Sequence, residues 1–436
     1  MDTNTNFGSE KISKLLLKMA PPVMLAQLIQ AVYNIVDSFF IGQYGENGLT
    51  ALSIIFPLQL LMIALAVGTG VGINTIMASC LGKKLVKEAN VYAGIGTPLA
   101  LLLWLLVAVA SWFIMPRYAY ISTSSPAVIE DVITYGRIVC VFGIGLFLES
   151  IWTKVLQAEG DMKTPMYAQI AGAVTNIVLD PILIFGLCGS PRLGIAGAAI
   201  ATVIGQAIAA LVVFKQGYRP SPGYSVYLSH TLTIFRLGVP NMLMQMTCTF
   251  YILGLNLILA MFSDQAVTVL GLYYKWQTFL IIPLMAMLTC IVPIISFNYA
   301  AKNINRCKET MRVATYSSLS LMLIGTLIFE LIPVPLLAVF SSDPLVYEIG
   351  ATGFRIIAIS FAPLVTSLLF PTFFQAIGFG VTSSVLTVLR TIVLFVPLGY
   401  FFAQYGLNWF WCTFPVTETI TTAVSFLLYR FFLKHV

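Results

Sequence analysis

The chain has 436 residues, 59% of them hydrophobic and only 9% charged, with a net charge of +6 at neutral pH. A soluble domain carries about 25% charged residues, so a water-soluble core is excluded as the place for this much apolar surface, and lipid is the expected solvent. The basic residues lie mostly in short connections between apolar runs rather than in a basic domain, which argues against nucleic acid as a partner.

Hydropathy predicts twelve membrane-crossing helices. The first six cover about 15–41, 48–79, 91–116, 129–158, 164–187 and 193–215. After a connection at 216–234 come about 235–262, 267–299, 312–335, 346–377, 383–404 and 407–432. One stretch, Ala89–Pro116, runs 28 residues without a charge, where a single span needs about 20. The polar opening MDTNTNFGSEKISK has no signal-peptide pattern and is expected to stay on the protein. Seven cysteines are scattered without a CxxC pair, as free buried thiols would be. His230 and His435 lie outside the apolar runs, so histidine is not expected to relay protons inside the membrane.

Span one carries Gln27, Gln30, Asn34 and Asp37 at steps of three, four and three. On a helix these line one face, which must meet protein or water. Amides serve well as hydrogen-bonding glue between helices. A carboxylate costs several kcal/mol in hydrocarbon and marks an ion or substrate path. Glu149 and Lys154 in span four are expected to neutralise each other. Span five repeats the signal of span one: Asn176 and Asp180 are four apart, on one face, and Pro181 follows. A proline there removes a backbone hydrogen bond, and freed carbonyls beside an acid can serve as extra oxygen ligands. Span six adds Thr202 and Gln206, again four apart. If Asp37 and Asp180 meet, both charges cannot persist unscreened, and a proton or small cation would relieve them. Oxygen-only ligands suit a hard cation such as Na⁺.

Spans seven to twelve are polar in a different way. Span seven has Asn241, Gln245, Thr249 and Asn256 near one face without a charge, and Met242, Met244, Met246, Met261, Met285 and Met287 cluster in spans seven and eight. Lys275 and Trp276 suit a cavity wall or an interfacial anchor. Glu330 falls near the end of span nine, and Glu418 in span twelve is a second-rank functional candidate.

Basic residues set the orientation. Lys11, Lys14 and Lys18, Lys83, Lys84 and Lys87, Lys163, Lys215, Arg219 and Arg236, Lys302, Arg306, Lys308 and Arg312, and Arg430 and Lys434 all fall on one side. The opposite loops hold Arg117 and Arg192. The positive-inside rule puts both termini and the middle connection in the cytoplasm.

The two halves align at an offset of 218 residues. Pro22, Met24, Leu25, Gln27 and Tyr33 match Pro240, Met242, Leu243, Gln245 and Tyr251. Pro126, Arg137 and Ile138 match Pro344, Arg355 and Ile356, and Gln157, Ala158 and Gly160 match Gln375, Ala376 and Gly378. Asp37 and Asp180 map onto Leu255 and Leu398, so the acid pair belongs to the first copy alone. Six spans is an even number, so the copies cross in the same sense and are related by an axis along the membrane normal. Transporters of this build hold substrate near the midplane. The expected fold is an all-α membrane protein of twelve transmembrane helices in two pseudo-symmetric six-helix lobes, 1–215 and 235–436, joined by a cytoplasmic linker, 216–234.

The stretches NIVDSFFIG, LQAEGDMKTP, NIVLDPILIFG and LGIAGAAIAT, with FFQAIG in the second half, resemble the multidrug and toxic compound extrusion (MATE) family over essentially the whole chain. The resemblance implies two lobes around a central cavity and efflux of organic, often cationic, compounds driven by inward H⁺ or Na⁺. The DinF-like prokaryotic branch has a first-lobe cation site whose Asp, Asn, Asp and Thr are similar to Asp37, Asn176, Asp180 and Thr202. NorM-like members place acids in spans seven and ten, where this chain has Gln245 and no acid.

The resulting expectation is a monomeric multidrug antiporter of the bacterial plasma membrane, not an enzyme, with no cofactor beyond the coupling ion. Gln30, Asn34, Gln157, Gln206, Gln245, Thr249, Met285 and Gln375 are the side chains expected to meet substrate. The alternative is a flippase for lipid or lipid-linked oligosaccharide, which would favour a more cationic groove.

Overall fold

The computed structural model describes residues 7–223 and 227–435. The first six residues, part of the opening expected to be retained, lie outside the described residues, as do residues 224–226 of the linker and the side chain of His435. Among the described residues the chain is helical throughout, without strands.

In the first half, α1 (Ile12–Tyr44), α2 (Glu46–Gly82) and α3 (Val86–Ser122) are long single helices. They are followed by α4 (Pro126–Phe142), α5 (Ile144–Ala158), α6 (Lys163–Phe185) and α7 (Ile195–Gly217). The second half begins with α8 (Tyr227–Ala260), α9 (Asp264–Leu280), α10 (Ile282–Ala300), α11 (Ile304–Leu331) and the short α12 (Pro333–Ala338). It ends with α13 (Pro344–Ala358), α14 (Phe361–Ala376), α15 (Gly380–Val388), a π-helical segment at Leu389–Phe395, α16 (Val396–Ala403), α17 (Leu407–Phe410) and α18 (Thr413–His435). Among the described residues, ten helices are long and apolar enough to cross a membrane, and two bent pairs, α4 with α5 at 43° and α13 with α14 at 50°, bring the number to twelve when each pair is taken as one span.

The repeat is visible in these details. Both bends fall in the fourth span of their half, one at Gly143 and the other at Ile359–Ser360, directly before Phe361, the repeat counterpart of Gly143. Arg137 donates to the Trp112 carbonyl (3.2 Å), and Arg355 to the carbonyl of Glu330 (3.3 Å). Trp112 and Glu330 are themselves 218 apart, so the two arginines make the same tie from fourth span to third.

Two compact units form, and each takes in the start of the other's first helix. One comprises Pro21–Met242, and the other comprises residues 7–20 with Leu243–Val436. Thus α1 passes from the second unit to the first at Pro21 and Pro22, and α8 passes back just after Pro240, the repeat counterpart of Pro22. Proline removes an N–H donor from the helix ladder, which makes these turns the softest of either helix. The helix starts are tied down locally. In the second unit, Arg306 donates to the carbonyls of Phe7 (2.8 Å) and Glu10 (2.6 Å), and Asn298 Nδ2 also reaches Phe7 (3.0 Å). In the first unit, the carbonyl of Pro220 lies 2.1 Å from where a Cβ on Gly94 would stand, and Arg219 is held by Glu159 at 2.7 Å.

Candidate cation-coupling site

Close helix packing builds the site in the first unit. Gly172 of α6 and Gly205 of α7 face each other so tightly that a Cβ on either would stand 2.7–2.8 Å from the other's carbonyl oxygen. One turn along α6, this contact sets Asn176 against Thr202 of α7. Asn176 (2% exposed), Asp180 (0%) and Thr202 (4%) are all buried, and Asp37 of α1 (6%) comes in from the side. The Asn176 amide is satisfied at both ends with its nitrogen donating to Asp180 Oδ2 (3.1 Å) and its oxygen accepting from the Thr202 backbone N–H (3.1 Å).

Asp37 and Asp180 stand within side-chain hydrogen-bonding range of each other. Two carboxyl groups can share a hydrogen bond only if one holds a proton. With both ionised, two unit charges about 4 Å apart would repel by about 4 kcal/mol at an effective dielectric constant of about 20. Asp37 Oδ1 is sealed from solvent with no donor, and so is Oε1 of Gln206, one turn beyond Thr202 on α7. Buried acceptors without donors are rare in native structures and call for a ligand. Acceptors in excess of donors are what a cation or a proton would satisfy.

Two tyrosines complete the surroundings. Tyr33, one turn before Asp37 on α1, lies within the electrostatic reach of both acids. Tyr135 of α4, buried at 1%, accepts from Gln59 Nε2 at 3.4 Å and lies in hydrogen-bonding range of Thr202. Tyr33 could have been found in sequence as the residue four before Asp37; Tyr135 carries no comparable signal.

The remaining polar residues divide between surface and interior. On α1, Gln30 and Asn34 are exposed, so only the Asp37 end of that face is enclosed. Gln245, Thr249 and Met285 are half-buried in the second unit. Gln157 and Gln375, counterparts in the repeat, are buried, and Gln157 Oε1 accepts from Lys154 Nζ at 2.8 Å. The expected Glu149–Lys154 pairing is electrostatic rather than a contact ion pair: the Lys154 charge acts on Glu149, while no lysine or arginine lies in ion-pair range of it among the described residues. Five residues along a helix turn a side chain by about 140°, and Lys154 bonds Gln157 instead.

In the second unit, Leu255 replaces Asp37, and its Cδ2 stands 2.8 Å from where a Cβ on Gly399 would be, next to Leu398. Glu418 is not an open acid: Arg390 donates to both its oxygens (2.6–3.0 Å), and the Ser367 hydroxyl donates to Oε2. Trp276 Nε1 donates to the Leu336 carbonyl (3.0 Å), and Lys275 lies over the Phe340 ring at 4.9 Å, both of which suit anchoring.

Twelve spans in two repeated halves, with a buried acid pair in the first, define a membrane transporter. The MatE profile matches residues 22–182 and 240–401, and the chain belongs to that family of transporters. A FAD transporter of Shewanella oneidensis is 26% identical over 401 residues, covering 90% of this chain and 88% of that protein. The multidrug export protein MepA of Staphylococcus haemolyticus is 24% identical, covering 97% and 94%. Among solved structures, an outward-facing multidrug resistance MATE family transporter of the MOP superfamily superposes with a TM-score of 0.91 at 23% identity, covering 98% and 97%. A MOP superfamily transporter from Pyrococcus furiosus superposes with 0.90 at 22%, covering 98% and 96%. At these identities the structures speak for the fold alone.

Proposed function

We propose that the chain is an ion-coupled antiporter exporting small organic molecules, drug-like compounds among them, in which Asp37 and Asp180 hold the coupling H⁺ or Na⁺. The observation that carries this reading is the approach of the two buried carboxyls, with Asp37 Oδ1 left without a donor. Asn176, which also orients Asp180, and Thr202 supply the neutral ligands. A bound proton or Na⁺ ties α1 to α6; its loss sets the two charges against each other and favours withdrawal of α1. An ion can bias a conformational equilibrium only by as much as it binds the two states differently, and contact between two helices provides that difference. The relatives named for drug export and for FAD support small organic cargo. The run of basic connections supports a bacterial plasma-membrane protein with cytoplasmic termini, working as a monomer.

The test is Asp37→Asn in everted vesicles or proteoliposomes under separately imposed pH and sodium gradients. Coupling free energies of about 1–3 kcal/mol predict a roughly 5–150-fold loss of gradient-driven efflux. Undiminished transport by the folded variant would refute the reading.

A further inference from the structure

A second buried acid of the first unit lies outside the Asp37–Asp180 site. Glu149 is 7% exposed, in the α5 half of a bent membrane span. Among the described residues its hydrogen bonds come from two neutral donors, Thr153 Oγ1 at 2.8 Å and Gln169 Nε2 at 2.9 Å. It makes no ion pair with lysine or arginine among those residues. Of the helices packed against α5, α6 contributes Gln169, and none of α2, α3, α6 or α7 brings a charge to bear on Glu149. The charge that acts on it is Lys154 of its own helix, whose Nζ donates to Gln157 and makes no contact ion pair with Glu149. A carboxylate without a contact ion pair here would be costly, and glutamine would accept the same two bonds at no such cost.

The donors also distribute unevenly. Both fall on Oε1 and neither on Oε2. An ionised carboxylate offers two equivalent acceptors, whereas a neutral carboxyl group has one carbonyl oxygen and one hydroxyl. Two donors on a single oxygen match the neutral form, with hydrogen on Oε2. Gln169 precedes Asp180 by eleven residues on α6, about 16 Å along the axis. Glu149 therefore lies between the aspartate pair and the end of α6 that joins α5 through residues 159–162.

We propose that Glu149, braced by Thr153 and Gln169, is a second proton-binding site of the first unit, between the aspartate pair and the α5–α6 connection. A proton arriving from water forms an O–H bond at Oε2; on release that bond breaks and the proton returns to water, with no change in oxidation state. This rests on the chain's being a transporter, not on which ion the aspartates hold, and its failure would leave that reading untouched.

The test is infrared spectroscopy of the protein in lipid across neutral pH, following the C=O stretch of protonated carboxyl groups. The expected result is a deuteration-sensitive band that is lost in Glu149→Gln and kept in Asp37→Asn, together with an altered pH profile of efflux in the folded Glu149→Gln variant. A band unaffected by Glu149→Gln, or none that Glu149 accounts for, overturns the proposal. Should Glu149→Gln fail to fold, Thr153→Val with Gln169→Leu strips both donors from the carbonyl oxygen. The band then moves to higher frequency if Glu149 is protonated, and an unmoved spectrum overturns the proposal.

Discussion

The two halves share a topology and differ in how they treat charge. In the first unit, Asp37 and Asp180 approach each other with a sealed oxygen to spare, and Glu149 rests on neutral donors. In the second, leucines fill the positions equivalent to the two aspartates, and the buried acid, Glu418, is gripped by Arg390 from the π-helical segment. A counter-ion built into the protein is permanent, whereas one that must come from solution can be gained and lost. If the proposed ion binding holds, the same architecture carries a fixed unit and a responsive one, according to whether the compensating cation is covalently part of the chain.

Four tests would break or sharpen this contrast. Arg390→Met should have the largest effect, because removing one partner leaves a buried charge unpaired, at about 3–5 kcal/mol. Replacing both partners, Arg390→Met with Glu418→Leu, should restore most of the loss in thermal unfolding in detergent. If the double variant is no better than the single, the pair is not a closed unit. Next, Leu255→Asp puts into the second unit the acid that the first one carries. Without a partner on Leu398 it should destabilise by about 2.5–3.5 kcal/mol, read as a lowered unfolding temperature that does not recover with added Na⁺. Gly205→Ala forces a Cβ to within 2.7 Å of the Gly172 carbonyl. It should cost about 1–3 kcal/mol and weaken ion-driven efflux by prising Thr202 from Asn176. Smallest are Arg137→Ala and Arg355→Ala, each expected to cost about 1 kcal/mol for a lost backbone tie. Near-equal unfolding shifts would confirm that the repeat extends to energetics.

Much of the frame was legible in sequence because lipid enforces it. Runs of apolar residues long enough to span, and basic connections between them, follow from the solvent alone. Faces within one helix were legible too, since Asn176 and Asp180, four apart, must share one. Pairings between helices were not. Arg390 and Glu418 are 28 residues apart, and no periodicity links them. The Glu149–Lys154 expectation held only as an electrostatic influence: the hydrogen bonds to Glu149 come instead from Thr153 and a glutamine of the next helix, which no sequence spacing pointed to. Tyr135 entered the site through a fold-level approach of α4 to α7 that no local pattern encodes.

The exchange of helix starts has a consequence for biogenesis. The segment opening α1 is anchored by Arg306 and Asn298, which leave the ribosome nearly three hundred residues later. During synthesis the front of the first helix must wait, undocked, for a platform that does not yet exist, while the first half closes over the front of α8 as soon as that emerges. A chain truncated before residue 306 would leave the start of α1 without a berth.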